Sequence, residues 1–220
     1  MTKFRNIITL GLFLVIVLTS NCQETRIDST ILNADSSVIE GRIYKVIYRT
    51  DEFFYILDSH DKIIFKSKDY YKFYEFSDFD NDGNKDILFS YIGNVPRKDL
   101  LLYEAKNKNF RAVENFSNYP EPIKIEGTKY YYSYHRSGCA DRNWDSDLFF
   151  IENFKTYKLG TISGRECENR DEKDGIYIYK SKENKETLTE TRDINLIHEF
   201  QNDKWDFIKE YWTKNYKKFE

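Results

Sequence analysis

Histidine and cysteine are scarce in this chain: three of each in 220 residues. His60, His135 and His198 lie far apart and form no H-E-x-x-H pattern, so the sequence offers no zinc-protease helix. It also has no G-x-S-x-G elbow and no glycine loop shaped to cradle phosphate. The apolar run from Ile7 to Leu18 is too short for a comfortable membrane span, which takes about 20 residues. Basic residues are scattered among acids, which excludes the clustered basic face that nucleic acid requires. A solvated or core position is the ordinary reading of each histidine.

At the N-terminus, Lys3 and Arg5 precede the apolar run, which is the form of a secretory signal. Removing residues 1–21 takes the 34 bases to 32 against 37 acids, a formal charge of −5. The densest chemistry lies at residues 78–86, Asp-Phe-Asp-Asn-Asp-Gly-Asn-Lys-Asp. Asp78, Asp80, Asp82 and Asp86 would repel one another unless a hard divalent cation joined them. Ca²⁺ accepts six to eight oxygens in a flexible geometry, and acids at alternate positions can wrap it. Gly83 stands where such a loop turns sharply. The alternative is an Asp/Gly-rich solvated turn.

In an EF-hand, position 12 of this pattern is Glu; here it is Phe89. The flanks, Phe73 to Phe76 and Ile87 to Ile92, are aromatic and β-branched and predict strands. The loop therefore joins a hairpin, with Asp86 as a direct ligand. This arrangement resembles the calcium loops of FG-GAP/VCBS-type repeats of β-propeller proteins. The resemblance implies Ca²⁺ held by Asp78, Asp80, Asp82 and Asp86 with the carbonyl of Asn84. One intact copy argues against a large seven-bladed propeller. A weaker echo, Asp171 to Gly175, lacks the acid spacing.

Leu18-Thr19-Ser20-Asn21-Cys22 resembles a bacterial lipobox. The resemblance implies that Cys22 is lipidated and becomes the first mature residue, anchored in the membrane of the cell envelope. Gln23 is unlike the Asp that retains some lipoproteins in the inner membrane, which points to the outer one. An ordinary cleaved signal and an uncleaved anchor are the alternatives. With Cys22 lipidated, Cys139 and Cys167 remain for a disulfide, which an exported compartment permits. The rival reading pairs His135 with Cys139 as base and nucleophile, without a third group to fix a triad.

Short apolar and aromatic runs recur between turn residues from Ile43 to Tyr179, and a helical period follows at Trp205, Ile208, Trp212 and Tyr216. Asn202 or Asp203 is the expected cap of that helix. The expected fold is mainly β, a small propeller-like or sandwich arrangement of antiparallel hairpins with a C-terminal helix. Residues 1–21 form the signal, 22–40 the lipidated cysteine and tether, and 41–220 a single β-rich calcium-binding domain. Tyr130, Tyr132 and Tyr134 share a strand face, which suits either core packing or a sugar platform.

These features point to a non-enzymatic calcium-binding envelope lipoprotein whose partner is an envelope protein or glycan. A narrower alternative follows from the loop resemblance: periplasmic inhibitors of lysozyme-type hydrolases are similar in layout, and several insert a Ser-Gly-x-x-Tyr loop into the hydrolase cleft. Ser137-Gly138 begins in the same way, but Asp141 stands at the Tyr position and an ordinary turn is the favoured reading there. A calcium-dependent glycan hydrolase is the third reading. It would need paired acids at a set separation outside the loop.

Overall fold

A computed structural model describes residues 31–220, apart from 69–70, 72, 92, 94–95, 168–172 and 184. The signal segment, Cys22, the first part of the tether and much of the Asp171 echo lie outside the described residues.

The first sheet is an antiparallel meander of β1 (Ile31–Ile39), β2 (Arg42–Arg49), β3 (Phe54–Leu57) and β4 (Ile63–Ser67). A second meander follows: β5 (Phe73–Ser77), β6 (Asp86–Tyr91), β7 (Arg97–Glu104) and β8 (Asn109–Ala112). The third sheet contains β9 (Ile123–Lys124), β10 (Tyr130–Tyr132), β11 (His135–Arg136), β12 (Trp144–Glu152), β13 (Lys155–Arg165), β14 (Gly175–Lys182) and β15 (Lys185–Arg192). Its order is β15-β14-β13-β12-β10-β9, with β11 also beside β12. Helix α1 (Lys204–Asn215) and a 3-10 turn, Tyr216–Phe219, close the chain. The protein is thus mainly β, built from three antiparallel sheets with a C-terminal helix.

Side-chain alternation explains how the sheets stack. On β6, Ile87 and Phe89 join Tyr44, Val46, Phe54 and Ile56 of the first sheet. Leu88, between them, points the other way, toward Tyr131 and Phe149 of the third sheet. On β7, Leu101 and Tyr103 face the first sheet, and Leu100 and Leu102 the third. Both strands are covered on two faces, so both read as unbroken apolar runs. The outer face of the third sheet packs Trp144, Leu148, Ile162, Ile176 and Ile178 beneath Phe207, Ile208, Tyr211 and Trp212 of α1. Gly164 makes this fit possible, since a Cβ there would lie 2.1 Å from the Trp144 ring.

Several sequence expectations are corrected. The tether expected through residue 40 is a strand from Ile31 onward, paired along its length with β2. It shows no apolar alternation because it is an exposed edge. The polar β15 was hidden for the same reason. Tyr130, Tyr132 and Tyr134 are all buried in the cluster beneath α1, so they form core and no open sugar platform. On α1 the buried residues are Phe207, Ile208, Tyr211 and Trp212, whereas Trp205 is 46% exposed. Asp203 occupies the cap position without a capping bond and pairs with His198 at 3.1 Å. No helix among the described residues is long and apolar enough to cross a membrane.

Candidate metal centre

The acidic loop joins β5 to β6 at the junction of the second and third sheets. Five residues of each strand pair in register, closing at Ser77 opposite Asp86, so the loop ends are fixed by the ladder. Gly83 adopts φ +94°, a backbone region costly for any residue with a Cβ. Its N–H donates to Asp78 Oδ2 at 3.1 Å. The Asp82 N–H donates to Asp80 Oδ1 at 3.1 Å, and the Asn84 N–H to Asp82 Oδ1 at 2.7 Å.

The structure brings three of the expected ligands together. Asp78, Asp80 and Asp86 each offer a carboxylate oxygen, and these oxygens lie within 4.8 Å of one another. Asp78 Oδ1 is buried and has no hydrogen-bond partner among the described residues. A buried acceptor without a donor is costly, and a hard cation is the kind of partner it lacks. The Asp82 carboxylate stands outside this group and accepts from the Asn84 backbone and side chain. The residues therefore suit a hard cation, with the Asp78, Asp80 and Asp86 side chains as its main holders.

Asp86 is the structural root of the site. It is 1% exposed, and its two oxygens accept N–H bonds from Phe79 and from Tyr103 of β7, each at 2.9 Å. Burial raises its carboxyl to about 7 against the opposing effect of those bonds, with Asp80 and Asp82 adding repulsion. Asp80 is raised as well, first by burial and then by Asp82. Without a cation, the cluster resists full ionisation.

Three contacts of the loop were invisible in the acidic pattern. Phe79 stands between the first two acids, and its ring stacks on Tyr131 with centroids 5.1 Å apart and planes 8° from parallel. The same ring meets Phe116 edge-on at 5.3 Å. Lys124 of β9 donates to the carbonyl of Asp80. An aromatic residue between two acids was the one signal in the sequence that this loop is anchored inward. Beside it, Asp80, Asp82, Lys124 and Tyr131 border a cleft of about 520 Å³.

Cys139 and Cys167 form a disulfide with Cα atoms 6.4 Å apart, so Cys139 is no free nucleophile for His135. His135 instead faces Asp145 at 3.5 Å. Hydrogen bonds from His135, Ser137 and Ser163 together with the Arg165 charge hold Asp145 far below the usual carboxylate range, despite burial. Asp147, two residues along β12, moves the other way because it is buried.

No protein-family model matches this sequence, and neither does any curated protein. Among solved structures, the chain is similar to a Xanthomonas type IV secretion system related protein. The TM-score is 0.49 at 14% sequence identity, over 71% of this chain and 93% of that one.

Proposed function

We propose that the protein is a non-enzymatic, calcium-binding envelope lipoprotein that binds another macromolecule, with the cation fixing the β5–β6 loop. The observation that carries this reading is the convergence of Asp78, Asp80 and Asp86 around a buried oxygen that has no donor. Asp82 and the Asn84 carbonyl complete the ligand set expected from the loop pattern. A bound divalent ion supplies positive charge and lets Asp86 and Asp80 ionise together. The protein's part is to hold the Asp86 oxygens through the Phe79 and Tyr103 N–H groups and an Asp80 oxygen through the Asp82 N–H. Lipid on Cys22 would tether the domain to the membrane, probed by labelled fatty acid incorporation into the full chain and its loss in Cys22→Ser.

The direct test is calorimetric titration of the chelator-stripped chain with Ca²⁺ and with Mg²⁺. One calcium site, abolished by Asp80→Ala, is expected. No calcium heat at millimolar supply would end the reading.

A second reading, inhibition of a lysozyme-type hydrolase, is favoured by one feature. Ser137-Gly138 opens an exposed segment in which Gly138, Cys139, Ala140 and Asp141 all have positive φ, from +52° to +108°. The disulfide to Cys167 and a backbone bond from Asn143 to Gly138 brace it. Such a stiff loop loses little entropy on docking. Mixing the chain with a panel of lysozymes tests it, and unimpaired lysis at micromolar excess would remove it.

A further inference from the structure

We infer that the cleft between α1 and the braced 137–142 loop is a saccharide site, with Trp205 as its aromatic wall and Arg136, Glu121 and Asp141 as its polar wall. This inference names a ligand class for the binding protein proposed above and does not depend on the cation. The cleft measures about 580 Å³; Glu121, Tyr134, His135, Arg136, Asp141 and Trp205 border it together with Gly93 and Pro96. That volume lies within the range of about 300–1,000 Å³ typical of ligand clefts.

The aromatic wall is exposed yet fixed. Trp205 sits in the first turn of α1 and is 46% exposed, while Trp144 and Trp212 are fully buried. Its ring lies 4.0 Å from that of Tyr134, inclined by 52°. Tyr134 is buried and donates its hydroxyl to Asp141, so the ring behind Trp205 is itself held. The Lys204 ammonium, 3.0 Å from Asp141 and 5.6 Å from the Trp205 ring, secures the start of the helix to the loop. Such preorganisation lowers the ordering cost of binding.

The polar wall carries both signs: Arg136 is cationic, Glu121 and Asp141 are anionic, and Asp141 is also paired with Lys204. Arg136 lies 3.6 Å from Asp141 but keeps 63% of its side chain exposed, leaving guanidinium donors for a ligand. Glu121 is exposed and adopts φ +47°, and Cys139, Ala140 and Asp141 are three consecutive non-glycine residues with positive φ. Backbone strain of this kind is retained mainly where it positions groups.

This chemistry selects among ligands. One exposed ring is too few for a cage around a quaternary ammonium. Paired opposite charges disfavour a strongly anionic or cationic ligand, and the polar wall disfavours a purely apolar one. A pyranose satisfies both walls: its C–H face lies against the electron-rich indole face, and its hydroxyls accept from Arg136 and donate to Glu121.

The experiment uses the full chain, titrated with β-1,4-linked N-acetylglucosamine tetramer, glucose tetramers, tetramethylammonium and a Lys/Glu-rich peptide. The readout is protection of tryptophan emission from iodide, which among the three tryptophans can reach only Trp205. Saturable protection by at least one saccharide is expected, in chelator as well as in calcium. Trp205→Ala and Arg136→Ala should each weaken it about tenfold, equivalent to ~1.4 kcal/mol, while the melting temperature holds. Because Arg136 is the more exposed of the two, its variant keeps the test valid if Trp205→Ala unfolds. Three results would overturn the site: no saccharide protection at about 10 mM, affinity indifferent to both variants, or the peptide or tetramethylammonium binding in place of sugars. Calcium heat without saccharide protection would defeat this inference alone. Saccharide protection without calcium heat would defeat the cation reading alone.

Discussion

Removing the cation should lower stability in a way that separates two kinds of aspartate. A ligand that binds only the folded state adds about 2.7 kcal/mol when present at a hundred times its Kd. For a domain of this size each kcal/mol moves the melting point by about 2–4 °C, so calcium should raise it by about 5–11 °C over chelator. Asp80 accepts one loop N–H at 3.1 Å, and the repulsion from Asp82 and Asp78 is only partly offset by attraction to Lys124. Asp80→Ala should therefore melt like the chelated protein and gain nothing from calcium. Asp86→Ala also loses the acceptor for Phe79 N and for buried Tyr103 N. Unmatched buried donors cost about 1–3 kcal/mol each, and relief of the carboxylate's burial offsets part of this. Asp86→Ala should thus be destabilised even in chelator, by about 2 kcal/mol or more. The assay is a circular-dichroism melt of each protein in chelator and in calcium. Identical midpoints for the native chain in the two conditions would refute the argument. Equal behaviour of the two variants in chelator would refute the division between them.

In chelator, the raised Asp86 carboxyl sets the sign of a pH effect: its folded value of about 7 exceeds the unfolded one, so its contribution is fully present below about pH 4 and lost as pH rises through about 7. Melts between pH 4 and 8 should show the calcium-loaded and chelated curves diverging as pH rises, and a constant gap would contradict this. Reducing the Cys139–Cys167 bridge, which spans 28 residues, should cost about 3–4 kcal/mol in the chain-entropy account, read as a lower urea midpoint in reductant. Phe79→Ala removes the ring stacked on Tyr131 and should cost about 3 kcal/mol. Its calcium affinity, measured by titration, should fall although Phe79 offers no ligand atom.

Much of the fold was legible because buried strands announce themselves. Tyr44, Val46, Phe54, Ile56 and Leu100 to Tyr103 are apolar since another sheet covers them, and each falls within an observed strand. β1 and β15 were illegible because edge strands keep polar residues on their open faces. The helix was legible in place and largely in facing: Ile208 and Trp212 are buried as the period predicts, but Phe207 and Tyr211 are buried as well and Trp205 is exposed. At the loop, regular acid spacing singled out the run of acids, and the structure gathers Asp78, Asp80 and Asp86 of that run. That Asp82 turns toward Asn84 depends on backbone conformation, which spacing does not encode. The contacts of Phe79, Tyr131 and Lys124 are non-local, and no local pattern in one sequence specifies them.

Those non-local contacts also decide where the energy of a bound cation would be felt. Were the loop only a hairpin tip, ion binding would order a few exposed residues and leave the body unchanged. Instead, one end of the acidic run is tied to β7 through Asp86 and Tyr103 N. The other is tied to β10 through the Phe79–Tyr131 stack, and the Asp80 carbonyl to β9 through Lys124. Closing the carboxylates around a cation therefore draws on attachments in both the second and third sheets. The cost of separating those layers would then include the cost of opening the proposed ion site, and on this reading Phe79, whose side chain carries no oxygen, would support the site as much as Asp80 does.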